Sequence, residues 1–271
     1  MDPPPFILLR GGGDLASGVA VRLFRSGFRL LITELPQPRA IRRLAAFAEA
    51  VFAGRTQVEG IEAVLIEQAG EAPRLAQDGR IPVLVDPSAE ARHQLPLLAL
   101  VDARMRKHAP ELGLECAPMM VGLGPGFTAG VDCHAVVETQ RGHHLGRAIW
   151  RGSAAPDSGR PGEIAGEADG RVLRAPGEGA MHGLAALGSS VAPGQPVAEV
   201  GGQTVTAPFA GTVRGLLHDG LPVASGEKIG DIDPRGVAAY CSEISDKALA
   251  VGGGVLEALL TRAEIRRAIR G

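Results

Sequence analysis

Gly11-x-Gly13-x-x-Ala16 has the residue types and spacing of a dinucleotide-binding loop. It lies between the apolar run "FILL" and an amphipathic stretch that Asp14 can cap. Glycines there permit a tight turn and let backbone amides approach a pyrophosphate, which the positive end of the following helix favours. An acid about 20 residues on is expected to hold a ribose hydroxyl. Glu34, at the end of "LLITE", stands at that place. The candidate ligand-binding residues here are Gly11, Gly12, Gly13, Asp14, Gly18 and Glu34. Asp14 works against the reading, because a carboxylate beside a phosphate needs an offsetting cation or hydrogen bond. The competing reading is a bare strand-to-helix turn.

The densest polar stretch is "GLGPGFTAGVDCHAVVETQRGHHLGR", residues 122–147. Its glycines, Gly124 and Gly126 among them, can form an anion-binding nest of backbone amides. Cys133 and His134 are the candidate catalytic pair, since a thiol beside an imidazole can become a thiolate. Neighbours on a strand point to opposite faces, so the two need not meet. The alternatives are a small buried thiol, a hydrogen-bonded core histidine, and solvated loop residues at His143 and His144. No paired metal-ligand spacing occurs, so no metal site is expected. Cys116 and Cys241 read as structural. Asp86, Asp102 and Asp231 each follow an apolar run. Asp86 and Asp102 can face a crevice at strand ends or serve as loop and cap residues. Asp246 and Lys247 precede a second glycine trio, "VGGG", which can offer amides to an anion or let a helix pack closely. G-x-S-x-G, P-loop and H-E-x-x-H motifs are absent, and the usual signals of those enzymes with them.

Alternating elements must position these residues. "FILL", "FRLLITEL" (28–35), "IEAVLI", "IPVLVDP" (81–87) and "LLALVDARM" (97–105) read as strands. Leu15, Ala16, Val19, Ala20, Leu23 and Phe24 share one helical face, and Gly27 ends that helix. "PRAIRRLAAFAEAVF" and "RLAQDGR" also read as helices. The expectation is an α/β, Rossmann-like, mostly parallel sheet over residues 1–165. Residues 166–236 carry an internal repeat, "LGSSVAPGQPVAEVGG" answered by "LHDGLPVASGEKIGDID". That is the pattern of an all-β biotinyl/lipoyl-like half-barrel. Its carrier-lysine position reads "EVGGQ", so a docking or structural role is expected. Residues 237–271 form a helical closing segment. Its aliphatic stretch 254–268 can pair with a second copy in a homo-oligomer or pack on its own sheet.

The 271 residues allow one large or two smaller domains. Glycines (38) and prolines (20) are abundant, but 45% of residues are apolar, so turns rather than disorder are expected. A net charge of −2 and 3% aromatics argue against nucleic-acid and membrane-surface partners. No apolar run is long enough for a membrane span and no signal peptide is visible. Three widely spaced cysteines read as reduced thiols of a cytoplasmic protein.

Taken together, "RGGGDLASGVAVRLFRSGF", "ITELPQPRAIRRLAAFAEAV", "VEGIEA", "IPVLVDP", the 122–147 stretch, "APFAGTVRGLLHDGLPVASGEKIGDIDPRG" and "ISDKALAVGGGVLEALL" resemble the YqeB family over nearly the whole chain. The resemblance implies an accessory or maturation factor for selenium-linked molybdenum hydroxylases of the xanthine-dehydrogenase type. Its partners would be the hydroxylase and other maturation factors, and Cys133 a sulfur or selenium relay. A molybdopterin-type cofactor and NAD(P) suit the glycine loop equally. The alternatives are an NAD(P)-dependent oxidoreductase and a docking module with no small ligand.

Overall fold

Strand β1 (Phe6–Arg10) is buried at all five residues. Ile7 and Leu9 enter one apolar core, and Phe6 and Leu8 the core on the opposite face. A continuous apolar run is what a strand covered on both faces requires. The structure is a computed structural model describing residues 5–105, 110–157 and 169–270.

Nine strands form one sheet. After β1 come β2 (Leu30–Glu34), β3 (Arg55–Val58), β4 (Ile61–Ile66), β5 (Ile81–Val85), β6 (Leu97–Asp102), β7 (Met120–Leu123), β8 (Ala135–Val137) and β9 (Ala148–Ile149). Their spatial order is β9-β8-β7-β6-β1-β2-β5-β4-β3. The pairings are parallel except for β3 on β4 and β9 on β8. From β1 the chain moves to one side through β2, then returns to the other side at β6. The carboxyl ends of β1 and β6 therefore flank a topological switch point, where ligands bind in open α/β sheets. Helix α1 (Asp14–Arg25) follows β1, and α4 (Asp246–Leu260) lies beside it. Helix α5 (Ala263–Arg270) follows. Among the described residues no helix is long and apolar enough to cross a membrane.

The expected helix at "PRAIRRLAAFAEAVF" is broken into 3-10 turns at Arg43–Ala45 and Phe47–Glu49 and a single α-turn, α2 (Ala50–Ala53). Its backbone donors are used elsewhere. Phe47 N donates to Ser17 Oγ at 2.9 Å, and Ala48 N to Gly12 O at 2.8 Å. The "RLAQDGR" helix is present as α3 (Ala72–Gln77).

The chain divides into two compact units. One comprises Met1–Pro38, Phe47–Asp157 and Ile244–Gly271, the other Arg39–Ala46 and Ser158–Glu243. The C-terminal helices thus belong to the unit of the large sheet.

The second unit holds two four-stranded sheets. Its strands are β10 (Val172–Arg174), β11 (Gly179–Gly183), β12 (Ser190–Val191), β13 (Pro196–Val200), β14 (Gln203–Thr206), β15 (Gly211–Leu216), β16 (Pro222–Val223) and β17 (Lys228–Asp233). The sheets run β10-β17-β15-β12 and β14-β13-β11-β16, with antiparallel pairings. Each sequence repeat is a short strand, a glycine turn and a longer strand. The first places β12 in one sheet and β13 in the other, and the second does the reverse with β17 and β16. Gly201 and Gly202, both at positive φ (55° and 79°), close the β13–β14 hairpin, as a tight two-residue turn demands.

Candidate functional site

The carboxyl ends of β1, β2 and β6 carry the densest set of functional groups. Gly11 follows β1 at φ 94°, a backbone conformation suited to glycine. Its amide donates to Thr33 O at 2.7 Å. A Cβ on Gly12 would lie 2.8 Å from Ala48 N, so the 47–48 segment covers that side of the loop. Gly13 differs. Its φ of −71° is ordinary, and a Cβ there would meet nothing within 4 Å among the described residues. Gly13 is also the N-cap of α1, and no side chain caps that helix. The first-turn amides of a helix have no partner within the helix.

Glu34 stands at the end of β2. Its Oε2 accepts from Gly12 N at 2.7 Å and its Oε1 from Leu35 N at 2.8 Å. Burial raises its pKa, opposed by those two amides and by Arg104. The carboxylate therefore closes the glycine loop from behind. Each oxygen keeps lone-pair capacity for a hydroxyl.

At the switch point itself, Arg10 and Asp102 face one another in register across β1 and β6. Both side chains are buried, with Nη1 3.3 Å from Oδ2. Arg10 Nη2 donates to Pro87 O at 2.8 Å and to Glu111 Oε2 at 3.2 Å, and its Nε has no partner among the described residues. Arg104 grips the same carboxylate through Nε at 2.9 Å and Nη2 at 2.6 Å. Its Cγ would be 3.2 Å from a Cβ on Gly11, so it lies over the loop. Sequence reasoning singled out Asp102 but missed both arginines. The one available signal was a charged residue ending an otherwise apolar strand.

Lys247, which the sequence marks only as preceding the second glycine trio, lies in the first turn of α4. Gly18 lies against Ala248, where a Cβ would be 2.6 Å away, and Gly252 lies against Gly18 and Arg22. The helices therefore run in the same direction with their amino ends side by side. Gly18 is a packing residue of that crossing, not a ligand contact. Gly252 and Gly254 are also interior packing positions, so the second glycine trio is not an anion loop. Burial lowers the pKa of Lys247, with Arg141 adding to the effect and Asp14, Glu138 and Asp157 opposing it. Lys247 thus lies within electrostatic reach of Asp14. Asp246 is held by Arg141 at 2.7 and 2.8 Å.

Gly124 and Gly126 turn at positive φ (70° and 101°) beyond β7. Gly124 is a close-approach position, because a Cβ would meet Thr139 Oγ1 at 2.5 Å. Nearby, the buried Glu138 accepts amides from Thr139, Gln140 and Ala155, which organises this loop.

Cys133 and His134 lie at the other end of the sheet, before β8 begins, and the structure does not make them a catalytic pair. Cys133 is fully buried. Burial pushes its thiol up to about 12, with Asp132 adding to the effect and amides of Gly122 and Ala135 opposing it. A thiol in that range is protonated at neutral pH and a poor nucleophile. His134 Nδ1 instead accepts from Met120 N at 2.9 Å. Of the other acids, Asp86 caps a turn through Glu90 N and Ala91 N. Asp231 is ion-paired with Arg171 in the second unit. Cys241 is buried, and His143 and His144 are exposed, their rings 5.1 Å apart.

No family model matches the chain. It is 49% identical over 254 residues to "Uncharacterized protein YqeB" of Escherichia coli (strain K12), covering 94% of this chain and 47% of that one. The chain thus spans about half the length of the curated relative it matches. Among solved structures it aligns with an aspartoacylase family protein of Mesorhizobium loti at 10% identity and TM-score 0.26, over 84% of both chains. It also aligns with the ectoine utilization protein EutE (DoeB) of Ruegeria pomeroyi at 14% identity and TM-score 0.22, over 84% of this chain and 52% of that one. TM-scores this low carry no argument about fold or chemistry.

Proposed function

The chain belongs to the YqeB family, and from that premise we infer an accessory factor in the maturation of a selenium-linked molybdenum hydroxylase of the xanthine-dehydrogenase type. Its ligand is of the dinucleotide class, such as the molybdopterin cofactor. The molybdenum role rests on the family resemblance. The ligand class rests on one observation: an uncapped helix amino end, reached through an open Gly13, at the switch point of a parallel sheet.

The residues present suit the diphosphate of such a ligand. Backbone amides of the α1 first turn would take phosphate oxygens. Lys247 and Arg104 would balance the charge that Asp14 and Asp102 bring. Glu34 would accept a ribose hydroxyl while keeping the loop closed. Bound there, the cofactor would be carried rather than transformed. The oxidoreductase alternative loses support, because Cys133 and His134 stand at the opposite end of the strands.

The second unit is read as a biotinyl/lipoyl-like half-barrel, supported by the strand exchange between its repeats. Its hairpin offers Gln203 where a carrier lysine would be needed, so the unit serves as a docking surface. Thermal shift against NAD, NADP, CTP and molybdopterin cytosine dinucleotide tests the ligand class, since binding to the folded state raises Tm by mass action. A shift with the molybdenum cofactor alone supports the carrier reading. A shift with NAD alone supports the oxidoreductase. The absence of any shift supports the docking module.

A further inference from the structure

The amino end of the large sheet, opposite the glycine loop, holds a cavity of about 600 Å³. Its walls come from three places that meet there. Leu97 begins β6, Pro118 leads into β7, and His134 immediately precedes β8; Arg92, Leu114 and Cys116 complete the lining. The volume is that of a small-molecule site; most of the exposed lining is polar, and Leu97, Leu114, Ala117 and Pro118 supply its apolar part.

The polar groups present donors. Arg92 is anchored through Nη1 alone, which donates to Ser88 O and Ala89 O at 2.9 Å and to Glu90 Oε1 at 3.0 Å. Among the described residues its Nε and Nη2 make no hydrogen bond, and together they form one planar edge of the guanidinium. That edge matches the two oxygens of a carboxylate. His134 spends Nδ1 as an acceptor from Met120 N. Its neutral ring must therefore carry its proton on Nε2, which makes it a donor. Burial and the nearby Arg262 hold the imidazole pKa below its ordinary value, so the neutral form prevails at pH 7. Charge around the cavity is nearly balanced. Arg92 is paired with Glu90, and Glu115 in the lining and the nearby Arg262 act on His134 in opposite directions. A monoanion suits that balance better than a dianion.

We propose that this cavity is a second ligand site, separate from the glycine loop, for a small organic carboxylate with an apolar body. The carboxylate is taken side-on by Arg92 and by the Nε2–H of His134, and the body lies against Leu97, Leu114 and Pro118. The site does not depend on the dinucleotide reading and stands if that reading fails.

Cys116 reports on occupancy. It is half-buried in the cavity wall, 3.5 Å from Met120 Sδ, whereas Cys133 and Cys241 are buried. Burial raises the Cys116 thiol above its ordinary range, opposed by Arg92, so the experiment is iodoacetamide labelling of the folded full chain at about pH 9, with long exposure to collect the thiolate fraction. Mass spectrometry locates the label, and hexanoate, acetate and inorganic phosphate are the probes. Hexanoate at ten times its Kd is expected to slow Cys116 labelling roughly tenfold by mass action. Acetate should need a much higher concentration, and phosphate should not protect. Arg92→Met should abolish protection, with folding checked by circular dichroism. Because Arg92 also anchors its turn, Leu114→Trp, which pushes a larger ring into the wall where the apolar body would lie, is the second variant and should weaken protection by hexanoate. Equal protection by phosphate and hexanoate would overturn the proposal. So would a labelling rate unmoved by any carboxylate, or protection that survives both variants.

Discussion

Glu34 Oε2 accepts the amide of Gly12 at 2.7 Å, so the acid at the end of the second strand buttresses the glycine loop. Burial raises its pKa above the ordinary value of 4.5. The sign of the linkage follows. A raised carboxylate contributes stability that is full below the ordinary value and is lost as pH rises through the folded value. Glu34→Gln cannot titrate. The Tm difference, wild type minus Glu34→Gln, should therefore be largest in acid and shrink as pH rises past 4.5 toward neutrality. Thermal melts across that range check it, and a difference that grows with pH would contradict the assignment.

Gly18 and Gly253 separate packing from propensity. A Cβ on Gly18 would lie 2.6 Å from Ala248 Cβ, whereas one on Gly253 meets nothing within 4 Å. Gly18→Ala should cost about 1–3 kcal/mol by overpacking the crossing. Gly253→Ala should stabilise by about 0.5–1 kcal/mol, because helix propensity is then the only effect. Urea melts of both variants decide it.

Asp102→Asn leaves Arg10 buried without its in-register anion. Breaking a buried pair from one side costs about 3–5 kcal/mol. Replacing both residues, as in Arg10→Met with Asp102→Leu, should recover most of that loss. Failure of the double variant to recover would show that Arg104 and its neighbours, rather than the pair, dominate the cluster.

Cys133 is not available for sulfur transfer in the folded state, being buried with a thiol pushed up to about 12. Alkylation of the native protein should spare Cys133 until the chain is unfolded, and Cys133→Ala should leave ligand-induced thermal shifts intact. Rapid native labelling of Cys133 would contradict this placement.

The large sheet was legible because its strands are apolar runs bounded by glycine, proline and acids. Covered on both faces, β1, β2, β5 and β6 leave little ambiguity. The region 39–53 was not legible. Its helical periodicity loses to tertiary hydrogen bonds, since Phe47 N and Ala48 N go to Ser17 and Gly12. Strand β3 was missed because its burial alternates weakly and its partner β4 supplies the register. In the candidate site, glycine spacing and Glu34 were visible. Arg104 and the nearness of Lys247 to Asp14 were not, because Arg104 lies beyond the end of β6 and Lys247 is 233 positions from Asp14, so neither carries a local pattern. Cys133 and His134 misled because adjacency in sequence says nothing about which end of a sheet a residue occupies.

Gly13 is glycine for the sake of a ligand: among the described residues nothing requires it, given its ordinary φ of −71° and the open space beside it. Calorimetric titration of wild type and Gly13→Ala with molybdopterin cytosine dinucleotide and NAD, alongside their unfolding midpoints, tests this. Gly13→Ala should be as stable as the wild type, or more so by up to about 1 kcal/mol, and should lose dinucleotide affinity. A variant that binds as the wild type does, or a wild type that binds neither ligand, would contradict it.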